Sequence, residues 1–166
     1  MFSKKEASVL TGVKLQQLDY WARDQIGIVP QSINGKYSNV YYTSQQISEL
    51  ALAFNLKTSD YTNTLIKNFL EVWRSVGQPV NNYIVKRYDV NPVEDYKSNI
   101  LGNDEEGYFY FFVCGEKVIE FMARASGGAG GKTISNFITY LNIMNLKQVL
   151  KHNAEKNGID GERIAA

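Results

Sequence analysis

Apolar residues recur at three- and four-residue spacing along much of the chain, and each run stops at a glycine or a polar turn. Ser3-Lys4-Lys5-Glu6 opens the first run as a capping box, in which Ser3 and Glu6 satisfy each other's free backbone donors. Ala7, Val9 and Leu10 follow, and Thr11-Gly12-Val13 closes the helix. Val13, Leu15, Leu18, Tyr20, Trp21 and Ala22 predict a second helix that ends before Gly27-Ile28-Val29-Pro30. Two short helices joined by a tight turn with glycine are the sequence form of a helix-turn-helix. The stretch SINGKYSNVYY then carries Asn34-Gly35, a strong hairpin signal. Thr43-Ser44-Gln45-Gln46 makes a second capping box and launches an amphipathic helix through Ile47, Leu50, Ala51 and Phe54. Helix, turn, helix, two-stranded hairpin and helix amount to a winged helix-turn-helix in outline.

The remainder mixes both periods. Thr58-Ser59-Asp60 is read as a polar break and N-cap for a helix through Tyr61, Leu65, Ile66, Phe69, Leu70, Trp73 and Val76, stopped by Gly77-Gln78-Pro79. Residues 83–90 alternate and predict a strand. Residues 91–107 are polar and turn-rich, with Asp104-Glu105-Glu106 as a solvated loop. Residues 108–114 and 117–125 predict a hairpin about Gly115-Glu116. Thr133 to about Lys156 reads as a long helix closed by Asn157-Gly158, with a frayed end beyond it. The fold class expected is α+β, with a winged helix-turn-helix at 1–58 and a connecting helix at 59–79. Residues 80–166 are expected to be a small module of antiparallel strands and helix for dimerisation or an effector.

In the hairpin pairing, Tyr110 and Phe112 share one face with Ile119 and Phe121. Phe109, Phe111 and Val113 share the other with Val118 and Met122. Both faces are apolar and both need cover. The last helix can cover one, and the second must meet another element, a partner subunit or a ligand. A homodimer is the favoured reading and a small apolar effector the runner-up. Glu120 is the one carboxylate near such a pocket.

Composition narrows the chemistry. In 166 residues, 44% are hydrophobic and 13% aromatic, enough for a folded core. The net charge of +1 gives no global field toward nucleic acid or membrane, so local patches must steer any binding. A single cysteine, Cys114, forbids a disulfide within the chain and fits a reducing cytoplasm; it is read as a core thiol. With His152 as the lone histidine, neither the usual tetrahedral zinc site nor a Cys–His nucleophilic pair can be built, and no cofactor or metal is expected. His152 is read as a surface residue near a helix C-terminus. MFSKKEASVL is no signal peptide, and no window has the eighteen or so apolar residues of a membrane span.

RASGGAGGKTISNF comes close to a phosphate-cradling loop. Gly131-Lys132-Thr133 matches its end, but Ser126 stands where the first glycine is required. The expected antiparallel hairpin before it leaves little room for a doubly wound sheet. The Gly127–Gly131 stretch is therefore read as a hinge, and a nucleotide-binding enzyme is the least favoured function.

EASVLTGVKLQQLDYWARDQIGIVP, together with YYTSQQISELALAFNL, resembles the N-terminal domain of MerR family transcription regulators over about residues 2–57. The most telling stretch is Leu18-Asp19-Tyr20-Trp21-Ala22-Arg23, similar to the family's LDYWAR variant. The tail resembles that of a divergent subgroup that includes repressors encoded with CRISPR-associated transposons. The family resemblance implies that the second helix enters the major groove of double-stranded DNA while the wing touches the flanking backbone. It makes Lys14, Gln16, Gln17 and Tyr20 groove-facing candidates, with Arg23 near phosphate and Lys36 and Tyr37 at the wing tip. Lys4 and Lys5 lie at a helix N-terminus suited to phosphate. Gln16 and Gln17 carry amides able to pair with an adenine edge. Asp19 replaces a common arginine and is expected to pair with a base such as Arg23 or to turn from DNA. Val40 stands where the wing often has arginine. Leu18 and Trp21 are expected in the core, and Tyr41 and Tyr42 in strand packing. The function implied is a sequence-specific regulator, a homodimeric repressor on a pseudo-palindromic operator. An excisionase-like accessory factor of a mobile element is the alternative.

Overall fold

The computed structural model describes residues 1–32, 40–87, 99–115, 117 and 137–164. The chain forms two compact units, one from residues 1–70 with 144–166 and one from residues 71–143. Residues 144–164 thus group with the N-terminal unit and not with the expected 80–166 module.

In the first unit, β1 (Phe2–Ser3) leads straight into α1 (Lys4–Thr11). Ser3 Oγ accepts from the Glu6 N–H at 3.3 Å, and Glu6 Oε2 accepts from the Ser3 N–H at 2.6 Å. Such a reciprocal cap is worth about 1 kcal/mol. Gly12 ends α1 with φ +77°, and a side chain there would also meet the Phe54 ring at 3.3 Å. After this turn comes α2 (Leu15–Trp21), then β2 (Gln31–Ser32) and β3 (Val40–Tyr42). Phe2 pairs with Tyr42 and Ser32 with Val40, so the order is β1-β3-β2 and the wing carries a third strand that the sequence reading missed. The Asn34-Gly35 turn lies outside the described residues. The second capping box is present, with Thr43 and Gln46 opening α3 (Ser44–Thr58). Phe2, Leu10, Leu18, Trp21, Tyr42, Ile47 and Leu50 are buried and form the core of this unit.

Helix α4 (Asn63–Ser75) starts later than expected. Asp60 has φ +64° and the Tyr61 N–H still bonds the Leu56 carbonyl, so the turn after α3 occupies these residues. Thr62 caps instead, its Oγ1 accepting from the Leu65 N–H at 3.2 Å.

The second unit is a four-stranded antiparallel sheet of β4 (Asn81–Arg87), β5 (Ile100–Asn103), β6 (Phe109–Cys114) and β7 (Phe137–Asn142), in the order β5-β6-β4-β7. Two expectations fall here. Strand β6 does not form a hairpin about Gly115-Glu116. Its neighbours are β4 and β5, and Gly115 and Lys117 carry helical backbone. The actual hairpin joins β5 to β6 through residues 104–108, where Asp104 Oδ1 accepts from the Glu106 and Tyr108 N–H groups. Asp104 is therefore a turn-forming residue and not simply solvated. The long helix from Thr133 is replaced by β7 followed by α5 (Ile143–Lys156). Phe137, Ile138, Thr139 and Tyr140 are β-branched or aromatic, and long-range pairing with β4 settles their conformation.

Phe111, Phe112 and Val113 are all buried within the single chain, so both faces of β6 are covered without a second subunit. Among the described residues, large apolar side chains exposed on this sheet include Ile138 at 37% and Tyr140 at 48%, both on β7.

Beyond α5 the described residues, to Ile164, form ordered turns where a frayed end was expected. Gly158, at φ +65°, ends α5 with the Ile159 N–H on the Ala154 carbonyl at 2.9 Å and the Gly158 N–H on the Glu155 carbonyl at 3.2 Å. Asp160 then caps a short turn of 3-10 helix, Gly161–Arg163, and Ile164 is buried. Among the described residues no helix is long and apolar enough to cross a membrane.

Candidate nucleic-acid interface

Two buried side chains set the rotation of α2. Leu18 is 0% and Trp21 1% exposed, and at about 100° per residue Gln16, Asp19 and Tyr20 fall on the far side, with Arg23 in the turn just past the helix. All four are exposed, Tyr20 at 48%. Lys14 occupies the N-cap position and is exposed, whereas Gln17 is half-buried on the flank. The sequence candidates on this segment therefore form one surface, with Gln16 more outward than Gln17. Lys36 and Tyr37 lie outside the described residues. Val40, where the family often has arginine, is buried in β3 of the wing.

The Asp19 carboxylate has a defined partner. Lys4 Nζ lies 2.8 Å from Asp19 Oδ1, so the acid pairs with the first turn of α1 and not with Arg23. Both side chains are partly exposed, and such a pair is worth about 0–1 kcal/mol. Its larger effect is electrostatic: it cancels a charge that would repel phosphate and engages the lysine expected on the backbone. Lys5, next to it, is exposed. Asp19→Asn is expected to free Lys4, strengthening binding to every duplex alike and steepening the log–log salt slope by about 1 per protomer. Titration at several salt concentrations measures this, and an unchanged slope would place Lys4 away from the backbone.

Asp19, Ala22, Arg23 and Val40 line an open concavity of about 450 Å³ between the end of α2 and β3. Burial, with a smaller push from the Asp19 charge, raises the Tyr42 phenol to about 12, so this core tyrosine stays neutral. It packs in the sheet, as does the half-buried Tyr41.

A second charged cluster sits on the sheet of the other unit. Lys86 Nζ is 2.8 Å from Asp104 Oδ2 and stands 4.4 Å from the Tyr108 ring centre and 5.5 Å from that of Tyr110. Tyr110 also donates to Asp104 Oδ2 at 3.1 Å. The hydrogen bond that the Lys86 ammonium donates to the Asp104 carboxylate holds the ammonium well above its ordinary range. Burial alone would push the Asp104 carboxyl up, but its bonds to Lys86 and to the Tyr108 N–H outweigh this and hold it low. The cluster is internally neutral and ties β4 to the β5–β6 turn. The opposition of Lys86 and Tyr110 across two strands is not visible until the register is known.

Cys114 is half-buried, and burial pushes its thiol up, away from nucleophilic character. His152 is exposed on α5. Among the described residues no group of three His, Cys, Asp or Glu side chains could hold a metal ion. The Gly127–Gly131 stretch and Glu120 lie outside the described residues.

Residues 2–72 match the family model for the MerR HTH family regulatory protein. The match spans α1, α2, the wing and α3, and ends within α4. No curated protein matches the chain.

Proposed function

We propose that this protein is a sequence-specific repressor acting as a homodimer on a pseudo-palindromic operator in the cytoplasm, because residues 2–72 match the family model for the MerR HTH family regulatory protein. The observation that carries the reading is the outward row of Gln16, Asp19 and Tyr20 on a helix anchored from beneath by Leu18 and Trp21, with exposed Arg23 just past its end. Two such helices, about 34–36 Å apart or a multiple of that, fit successive major grooves on one side of a duplex. Lys5 and Lys14 approach phosphate, with Lys36 and Tyr37 extending the contact from the wing. A twofold pair matches a pseudo-palindromic site, and exposed Ile138 and Tyr140 offer apolar surface for a partner copy. Repression by occlusion of polymerase needs no effector chemistry.

A map of bound DNA across the genome tests this reading. A symmetric footprint over a promoter is expected; footprints confined to the ends of a mobile element, with bending, would make the protein an accessory factor. Gln16→Ala is expected to relax discrimination at one base pair per half-site by about 1–3 kcal/mol while leaving binding to random duplex unchanged. Equal losses on all sequences would move Gln16 from base edge to backbone.

A further inference from the structure

The C-terminal segment grips both ends of α1. Asn153 of α5 donates from Nδ2 to the Leu10 carbonyl at 2.8 Å, one of the acceptors that a helix leaves open at its C-terminal end. At the other end, Arg163 Nη1 lies 2.8 Å from Glu6 Oε1, and Nη2 donates to the Met1 carbonyl. The Arg163 guanidinium carbon also stands 4.3 Å from the centre of the buried Phe2 ring. This return of the chain is built in: the Gly158 cap, the Asp160 cap and buried Ile164 all direct it.

Glu6 serves two partners at once. Oε2 completes the capping box with Ser3, and Oε1 meets Arg163. A carboxylate in the first turn of a helix suits the helix dipole, but its charge opposes a phosphate approaching that end of the helix. Lys4, Lys5, Glu6, Asp19 and Arg163 together carry an excess of one positive charge. Without Arg163 these five charges balance, and the local attraction for a polyanion at this end of α1 weakens.

We infer that Arg163, at the far end of the chain, is a positioning residue for the DNA-binding surface: it holds the Glu6 carboxylate on the capping box and neutralises it, leaving the first turn of α1 open to a phosphate. The inference rests on the DNA-binding reading above. It extends the functional domain beyond the family-matched residues 2–72 to the last turn of the chain.

The test uses the full chain and two labelled duplexes, one enriched from a random pool by the wild-type protein and one of scrambled sequence. Arg163→Gln is expected to weaken binding to both about tenfold, as loss of a phosphate contact does. Arg163→Lys keeps the charge and stays within about threefold of wild type. Glu6→Gln added to Arg163→Gln recovers affinity to within about threefold, because a neutral amide still caps Ser3 but no longer repels phosphate. Its melting temperature does not recover, since the ion pair is still missing, and this separates the electrostatic role from a stabilising one. Wild-type affinity in Arg163→Gln, or a loss that Glu6→Gln does not repair, overturns the inference. Failure of the wild-type protein to bind either duplex removes the DNA-binding reading itself.

Discussion

Trp21→Ala is expected to destabilise the N-terminal unit by about 3–5 kcal/mol, the usual cost of deleting a large aromatic side chain from a packed core. Trp21 is among the largest fully buried side chains and lies directly under the outward face of α2. A domain stabilised by about 5–15 kcal/mol in total keeps little margin after such a loss. The thermal midpoint should fall by about 4–8 °C for each kcal/mol in a unit of this size, and DNA binding should fail at the temperature where the variant melts. Trp21→Phe is the control. Among the described residues the indole N–H has no acceptor, so its removal takes away an unpaired buried donor along with some volume. The phenylalanine variant should melt within a few degrees of wild type and bind as it does. If Trp21→Ala melts like wild type, α2 is not held from below in the way described, and the groove-facing row loses its support.

Salt is expected to have the second large effect. With about six phosphate contacts per dimer, raising ionic strength from about 50 to 200 mM should lower affinity about a thousandfold. A monomer with half as many contacts would lose only about fortyfold over the same range, so the slope also reports stoichiometry. The net charge of +1 gives no diffuse attraction, and the dependence must come from cations clustered on one surface. Lys5, Lys14 and Arg23 are exposed there, and Lys4 is shared with Asp19. Anisotropy titrations at four or five salt concentrations give the slope directly. A slope near zero would mean that these side chains do not meet the backbone.

How much of this was legible in the sequence varies along the chain with the range of the interactions involved. Both capping boxes could be read from four consecutive residues, because their hydrogen bonds close within one turn of helix. Leu18 and Trp21 declared the buried side of α2 by their spacing, and the opposite side then followed from helical geometry. The Gly158 cap was equally local. Strand β5 was missed because Ile100–Asn103 is short and sits among turn residues; its strand character comes from pairing with β6. The partner of Asp19 was sought one helical turn away in Arg23, but the ion pair reaches back fifteen residues to Lys4.

The sequence by itself determined the N-terminal winged helix-turn-helix, its caps, and the buried and outward sides of its second helix, since each depends on contacts within a few residues or on strict periodicity. Tertiary structure alone decided which strands adjoin β6, that residues 137–142 join β4 as a strand, and that Arg163 returns to Glu6. These outcomes join residues far apart in the chain. Their energies come from pairing and burial that no local window contains, and they override local preference when the two disagree.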